Sequence, residues 1–180
     1  MNALSNETKL KIEKTIKNLK ANKMDAYYCD NKEDACNLVK TLIKKGDVIS
    51  SGGSVTLKET GVYDIITSSD YKYLDRAAEG ITPEEVEEVY HKTFSSDVYF
   101  ASSNAITENG ELYNVDGNSN RVAAILYGPK SVILVCGYNK IVKNIDEAID
   151  RVKRIAAPSN TIRLLSLIHI SEPTRLRCIS

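Results

Sequence analysis

Apolar positions along the chain alternate between the helical and the strand spacing. The clearest helical stretch carries apolar side chains at relative positions i, i+3, i+4, i+7 and i+8, which lie on one face of a helix. Asn31 precedes it as a capping residue, and Gly46 follows it and is expected to end it. Its apolar residues are Ala35, Leu38, Val39, Leu42 and Ile43.

The same spacing and recognisable end signals predict five further helices. Thr82, Pro83 and Glu85 form a capping box with proline in the first turn, which indicates a helix start. Asn144, with Glu147 three residues later, is expected to cap a final helix that Pro158 ends. The remaining predicted helices cover residues 10–23, 62–66 and 121–126.

Short apolar runs between these helices predict strands. They cover residues 24–29, 48–49, 71–75, 98–101 and 131–136. The last run is continuously apolar, which predicts a strand in the middle of a covered parallel sheet. Asn109-Gly110 is the strongest short hairpin-turn signal in the chain.

Strands that alternate with amphipathic helices predict an α/β fold, with an open, mostly parallel sheet and helices on both faces. In such folds ligands bind beyond the carboxyl ends of the strands. The segments that follow Ile49, Ala101 and Cys136 are therefore the first places to search for a site.

Composition narrows the class of protein. The 180 residues carry a formal net charge of +0, which argues against nucleic acid or an anionic membrane as partner. Apolar runs reach only about seven residues, too few to span a bilayer, so a cytoplasmic protein is expected. The four cysteines form no C-x-x-C pair and only two histidines occur, so no metal site is predicted.

The junction after the strand at Val48-Ile49 reads Ser-Ser-Gly-Gly-Ser and then continues as a helix. Backbone amides at such a junction can bind an anion, and the candidate ligand-binding residues are Gly52, Gly53, Ser54 and Thr56. The sequence matches neither common nucleotide-binding glycine motif. A plain tight turn, with Ser54 as an N-cap, is the alternative interpretation.

Two further polar clusters are candidates. Glu108, beside Asn109 and Gly110, is a candidate nucleophile or base, or else only the solvated corner of a hairpin. The second cluster either binds an anionic substrate or caps the helix that begins near Arg121. Its members are Asp116, Asn118 and Arg121, and Asn104 is added because it follows the strand at 98–101.

Four long segments together resemble the LUD-domain family of lactate-utilisation proteins B and C and their small stand-alone relatives. They are GGSVTLKETG (52–61), DRAAEGITPEE (75–85), SSNAITENGELYNVDGNSNRVAA (102–124) and VCGYNKIVKNIDEAIDRVKRIAAP (135–158). The resemblance implies a fold like that of ribose-5-phosphate isomerase, glucosamine-6-phosphate deaminase and the CoA transferases. In CoA transferases a glutamate in a Ser-Glu-Asn-Gly turn is the nucleophile, and the turn around Glu108 is similar to it.

The resemblance also implies a role in oxidising lactate or a related hydroxy acid, with a small anionic metabolite as ligand. The implied partners are iron–sulfur subunits of a lactate-oxidising complex. This chain would then be either an enzyme or a non-catalytic subunit of that complex. The cofactor is unknown. An acyl-CoA transferase or phosphosugar isomerase is the other alternative, and it requires Glu108 to face the glycine loop. Fold similarity alone does not fix function.

The family pattern is expected to cover residues 1–163 as one domain, truncated at its C-terminus. Small family members continue past Pro158 with closely spaced cysteines, and this chain instead ends in a stretch that resembles translated sequencing adaptor. Residues 164–180 are therefore predicted to be a non-native, disordered tail with no function for His169 or Cys178.

Overall fold

The computed structural model describes the backbone of residues 4–167, with side chains described as far as Ile162. The helices are α1 (Asn6–Ala21), α2 (Lys32–Leu42), α3 (Val55–Thr60), α4 (Val62–Ile66), α5 (Pro83–Thr93), α6 (Asn120–Leu126), α7 (Ile145–Arg151) and α8 (Ala157–Leu167). The strands are β1 (Val48–Ser51), β2 (Lys72–Tyr73), β3 (Val98–Ala101), β4 (Ala105–Thr107), β5 (Leu112–Tyr113), β6 (Ser131–Leu134) and β7 (Ile141–Val142). A 3-10 turn covers Tyr138–Lys140, and a π-helical turn covers Val152–Ala156.

The chain forms two compact units, which are treated separately below. The unit that contains the glycine loop comprises Cys29–Ser102 and Asn118–Gly137, and is called the loop unit. The other, called the hairpin unit, comprises Met1–Tyr28, Ser103–Gly117 and Tyr138–Ser180. The single domain expected over residues 1–163 stays a prediction.

The loop unit is built on a parallel sheet with strand order β2-β1-β3-β6. Alternation along β3 divides its core between the two faces. Val98 and Phe100 pack with Ile49 and with apolar side chains of α2, α3 and α4. Tyr99 and Ala101 pack with Ala124 of α6 on the opposite face. The predicted parallel sheet with helices on both faces is therefore confirmed.

Asp97 ties the amino ends of three strands of this sheet. Its carboxylate accepts hydrogen bonds from the Val48 amide at 2.9 Å and from Lys130 Nζ at 2.7 Å. The Lys130 hydrogen bond, and then the Val48 amide, lower the pKa of Asp97 below its usual value. The ionised carboxylate thus fixes where β1, β3 and β6 begin.

The hairpin unit contains a second sheet, with strand order β5-β4-β7. β4 pairs antiparallel with β5 and parallel with β7. The helices α1 and α7 pack against these strands. The hairpin predicted at Asn109-Gly110 is confirmed, since it joins β4 to β5.

The predicted helix caps are confirmed. Asn31, Thr82 and Asn144 each accept a hydrogen bond from the backbone amide three residues on. At Thr82 the reciprocal Glu85 bond is also present, which completes the capping box. These local signals require only neighbouring residues, which explains why sequence alone could place them.

Four sequence predictions are wrong, three of which concern residues 24–29, β6 and α2. No strand forms over residues 24–29, where Tyr27 and Tyr28 are exposed, because a strand also needs a partner that local pattern does not reveal. β6 lies at an edge of the described sheet rather than in its middle. The α2 helix has its C-cap at Ile43, before Gly46.

Pro158 was also expected to end the last helix, and it does not. The chain passes through the π-helical turn, in which the Ala157 amide donates to the Val152 carbonyl, and continues as α8. Proline lacks an amide proton and crowds the carbonyl four residues earlier, and a widened turn relieves this conflict. The predicted tail lies mostly outside the described residues, and its disorder stays a prediction.

Candidate functional site

The order of strands in the loop unit indicates where a ligand-binding crevice is expected. From β1 the chain moves to β2 on one side, whereas from β3 it proceeds to β6 on the other side. Connections that diverge from two adjacent parallel strands leave a crevice at their carboxyl ends, where α/β folds bind ligands. The segments after Ser51 and Ala101 border this crevice.

The glycine loop follows β1 directly. The Gly52 amide donates to the Phe100 carbonyl at 2.8 Å, so it extends the sheet and does not face a ligand. Gly53 is exposed, and among the described residues no acceptor receives a hydrogen bond from the amides of Gly53 and Ser54. Two of the three amides considered at this loop therefore remain open.

Ser54 is the N-cap of α3, as the alternative interpretation of the loop required. Its Oγ accepts a hydrogen bond from the Leu57 amide at 3.3 Å. Gly61, with φ +79°, ends the short helix in a left-handed conformation. Thr56 lies in the first turn of α3 and is half-buried. The tight turn and the N-cap thus explain why position 54 is a serine, but neither uses the open backbone amides of Gly53 and Ser54.

Arg121 lies against the glycine loop. A Cβ added at Gly52 would come 3.2 Å from both Cγ and Cδ of Arg121. The Nη1 of Arg121 donates to the Ser102 carbonyl at 2.7 Å, just beyond β3. The structure therefore brings together two residues predicted separately, and it fixes a guanidinium charge at the crevice.

Three residues at this edge of the sheet were not predicted as site residues, although two of them lie at segments that the sequence singled out. They are Ser102, Cys136 and Tyr99. Ser102 is buried, and its Oγ lies 3.5 Å from the Sγ of Cys136. Tyr99 is also buried, with its hydroxyl 2.9 Å from the position of a Cβ at Gly52. Strand alternation was the available signal, since Tyr99 and Ala101 share one face of β3.

A hydroxyl pair lies at the end of β1. Ser51 Oγ and Tyr73 Oη are 2.7 Å apart, and the Tyr73 ring packs edge-on against Tyr63. Burial, which outweighs the opposite effect of the Ser51 hydrogen bond, raises the pKa of Tyr73 to about 12. Tyr73 is therefore a neutral hydrogen-bonding group and not a general base near neutral pH.

Glu108 lies in the hairpin unit, at the turn between β4 and β5. Its Oε2 lies 2.8 Å from Lys14 Nζ of α1, and its side chain is only 18% exposed. Asn18 Nδ2 donates to the Glu108 carbonyl at 2.7 Å. The carboxylate is thus shielded and paired within this unit, rather than solvated at a free hairpin corner.

Asn109 and Gly110 are held by the residue that caps the end of α1. Asn22 Nδ2 donates to the carbonyls of both, at 3.2 and 3.0 Å. Gly110 has φ +82°, and an added Cβ would lie 2.6 Å from the Asn18 carbonyl carbon. These contacts assign both residues a structural function in the turn.

The other predicted site residues are distributed over both units. Asn104 bridges the ends of the hairpin: its amide donates to Asn114 Oδ1, its Oδ1 accepts from Val115, and its carbonyl accepts from Arg151. Asp116 also belongs to the hairpin unit, whereas Asn118 is an exposed residue of the loop unit. The grouping of Asp116, Asn118 and Arg121 as one site therefore stays a prediction.

Two searches of the described residues concern whole classes of site. No group of three or more His, Cys, Asp or Glu side chains within residues 4–162 is arranged to hold a metal ion. None of the helices in the described part of the chain is both long and apolar enough to cross a membrane.

Comparison with known protein families gives a match. The LUD domain family model matches residues 12–179, which is most of the chain. Searches of curated proteins and of solved structures each gave no significant match. The chain therefore belongs to the LUD domain family.

Proposed function

We propose that this LUD-domain protein binds a small anionic metabolite at the carboxyl ends of β1 and β3, in the use of lactate or a related hydroxy acid. The observation that carries the proposal is the Arg121 guanidinium, held against Gly52 and bonded to the Ser102 carbonyl. Family membership supports the link to lactate metabolism.

Charge and hydrogen bonding both favour an anion here. Arginine stays charged at physiological pH, and its planar fork of N–H donors suits a carboxylate or phosphate. The open backbone amides of Gly53 and Ser54 add two hydrogen-bond donors. Because Gly53 has no side chain, nothing at that position obstructs a ligand. An anion is the ligand that both features would stabilise.

The test is a calorimetric titration of the wild-type protein with L-lactate, pyruvate, a sugar phosphate and CoA. Gly53→Asp places a negative charge beside the open amides and should weaken binding of the active compound by at least about tenfold. Gly53→Asn is the matched control, because asparagine has nearly the same size and no charge. It should weaken binding much less.

Three results would contradict the proposal. They are binding of none of the four compounds, equal binding by wild type and Gly53→Asp, and equal losses in the Asp and Asn variants. Arg121→Gln adds an independent check, since the loss of the guanidinium should also lower affinity. Thermal unfolding of each variant shows whether the loop unit remains folded.

We further propose Glu108 as the first residue to test for catalysis, in an acyl-CoA transferase-like or phosphosugar isomerase-like reaction. Its support is a shielded carboxylate on a Glu-Asn-Gly turn, next to Lys14. If turnover is found, Glu108→Gln should abolish it while leaving folding intact, and retained turnover would exclude the role.

For the proposed iron–sulfur partners, affinity purification from the native cell followed by mass spectrometry should recover those subunits. Recovery of the chain alone would count against them.

A further inference from the structure

We infer that Gly52 is a positioning residue for Arg121 and not a ligand for the anion. This inference rests on the proposed anion site and assigns a different function to one of its predicted residues. The position after β1 is glycine because a Cβ there would crowd the middle of the Arg121 side chain and push it away from its observed position.

The Gly52 amide cannot serve the anion in the observed fold. It donates to the Phe100 carbonyl at 2.8 Å and so continues the pairing of β1 with β3. Releasing it for a ligand would break a bond of the sheet and leave a carbonyl without its donor. The open donors of the loop begin only at Gly53.

Space is the second part of the argument. A Cβ at position 52 would lie 2.9 Å from Tyr99 Oη and 3.2 Å from Arg121 Cγ and Cδ. Tyr99 is 2% exposed, so its ring is confined on all sides. The crowded Arg121 atoms are in the middle of the side chain, and the guanidinium beyond them is bonded to the Ser102 carbonyl. Neither neighbour is a loose end that can move without consequence.

Backbone conformation does not explain this glycine. The glycines at 46, 61, 80, 110 and 128 have positive φ, a conformation that favours glycine over other residues. Gly52 is not among them, and its backbone is that of a residue continuing a strand. The requirement at position 52 is therefore for the absence of a Cβ, which is what contact with Arg121 and Tyr99 imposes.

The test compares Gly52→Ala, Arg121→Gln and the double variant. Gly52→Ala should displace the Arg121 side chain and lower affinity for the active compound by about tenfold, the size of losing a charge-assisted hydrogen bond. Once the guanidinium is removed, displacing the side chain at position 121 costs no further contact with the anion. The double variant should therefore bind no more weakly than Arg121→Gln alone, whereas independent, additive losses would overturn the inference.

Tyr99→Phe separates folding from positioning. It removes the hydroxyl that a Cβ at position 52 would strike, so Gly52→Ala should cost less thermal stability in the Tyr99→Phe background than in wild type. The loss of affinity caused by Gly52→Ala should persist in that background, because Arg121 is still displaced. Recovery of full affinity would assign the effect to Tyr99 and overturn the inference.

A structural measurement distinguishes failure of this inference from failure of the proposed function. The Nε–Hε resonance of Arg121, assigned through Arg121→Gln, can be followed by nuclear magnetic resonance without any ligand. Gly52→Ala should shift this resonance, and Gly53→Ala should shift it much less. An unshifted resonance in Gly52→Ala would overturn the inference, even if an anion binds. Lack of anion binding by wild type would overturn only the proposed function.

Discussion

Two glycine-containing turns in this chain differ in how their polar groups are used. At the Glu108-Asn109-Gly110 turn, Asn18 of α1 and Asn22, the C-cap of that helix, donate hydrogen bonds to all three carbonyls. At the loop after β1, the amides of Gly53 and Ser54 donate to no acceptor within the described residues. Because unpaired polar groups need water or a ligand, the first turn is suited to stability and the second to binding.

The largest expected effect is at the closed turn. Gly110→Ala should lower the free energy of unfolding by about 3 kcal/mol, because it combines positive-φ strain with overpacking. Its Cβ would lie 2.6 to 2.8 Å from backbone atoms of Asn18 and Leu19, which cannot move as a side chain can. Urea unfolding measures the change.

Gly117→Ala is the matched control in the same unit. A Cβ there would meet nothing within 4 Å, so the free energy of unfolding should change by no more than about 0.5 kcal/mol. Equal effects of the two substitutions would show that α1 does not dock on the turn as described.

The next effect in size belongs to Asn18. Asn18→Ala removes the donor to the partly buried Glu108 carbonyl and should cost about 1–2 kcal/mol in urea unfolding. Anion binding should be unchanged, because the open amides belong to the loop unit. A stability loss of Asn18→Ala together with an equal loss in anion affinity would contradict the division between a structural and a binding turn.

The difference between the two turns also explains what sequence could and could not predict. Asn109-Gly110 was identified as a hairpin turn because the signal lies in two adjacent residues. That Asn18 and Asn22 close this turn was not predictable, since they lie on a distant helix. Likewise the glycine loop was identified from its strand-helix junction, but the contact of Gly52 with Arg121 depends on tertiary packing.

The same limit applies to the fold. Helix caps and the alternation of strands with helices gave the parallel sheet correctly. Strand pairing is non-local, so the edge position of β6 and the unpaired segment at residues 24–29 were not apparent. The π-helical turn before Pro158 likewise has no simple local signal, whereas proline's tendency to end helices does.

A smaller effect is expected at the end of β1. Tyr73→Phe removes the hydrogen bond to the buried Ser51 hydroxyl and should cost about 1 kcal/mol near neutral pH. The raised pKa of Tyr73, about 12, means that the folded protein holds this proton more tightly than the unfolded chain. The contribution of Tyr73 to the free energy of unfolding is therefore complete below about pH 10 and is lost as the pH rises towards 12.

A difference titration of tyrosinate absorbance between wild type and Tyr73→Phe checks this assignment. One group should be missing in the variant, with a midpoint near pH 12. A missing group that titrates near pH 10, the ordinary value for tyrosine, would show that Tyr73 is not buried as described.

The smallest expected effect concerns the Lys14–Glu108 ion pair, and it separates stability from catalysis at the closed turn. Lys14 is 56% exposed, so Lys14→Gln should cost no more than about 0.5–1 kcal/mol and less at high salt. Glu108→Gln retains an acceptor for Lys14 and should change stability by a similarly small amount. Because both substitutions leave the hydrogen bonds from Asn18 and Asn22 in place, a large loss of turnover in Glu108→Gln alone would identify chemistry. Equal, large losses of stability in both variants would instead show that the ion pair holds the turn, rather than the side-chain amides of Asn18 and Asn22.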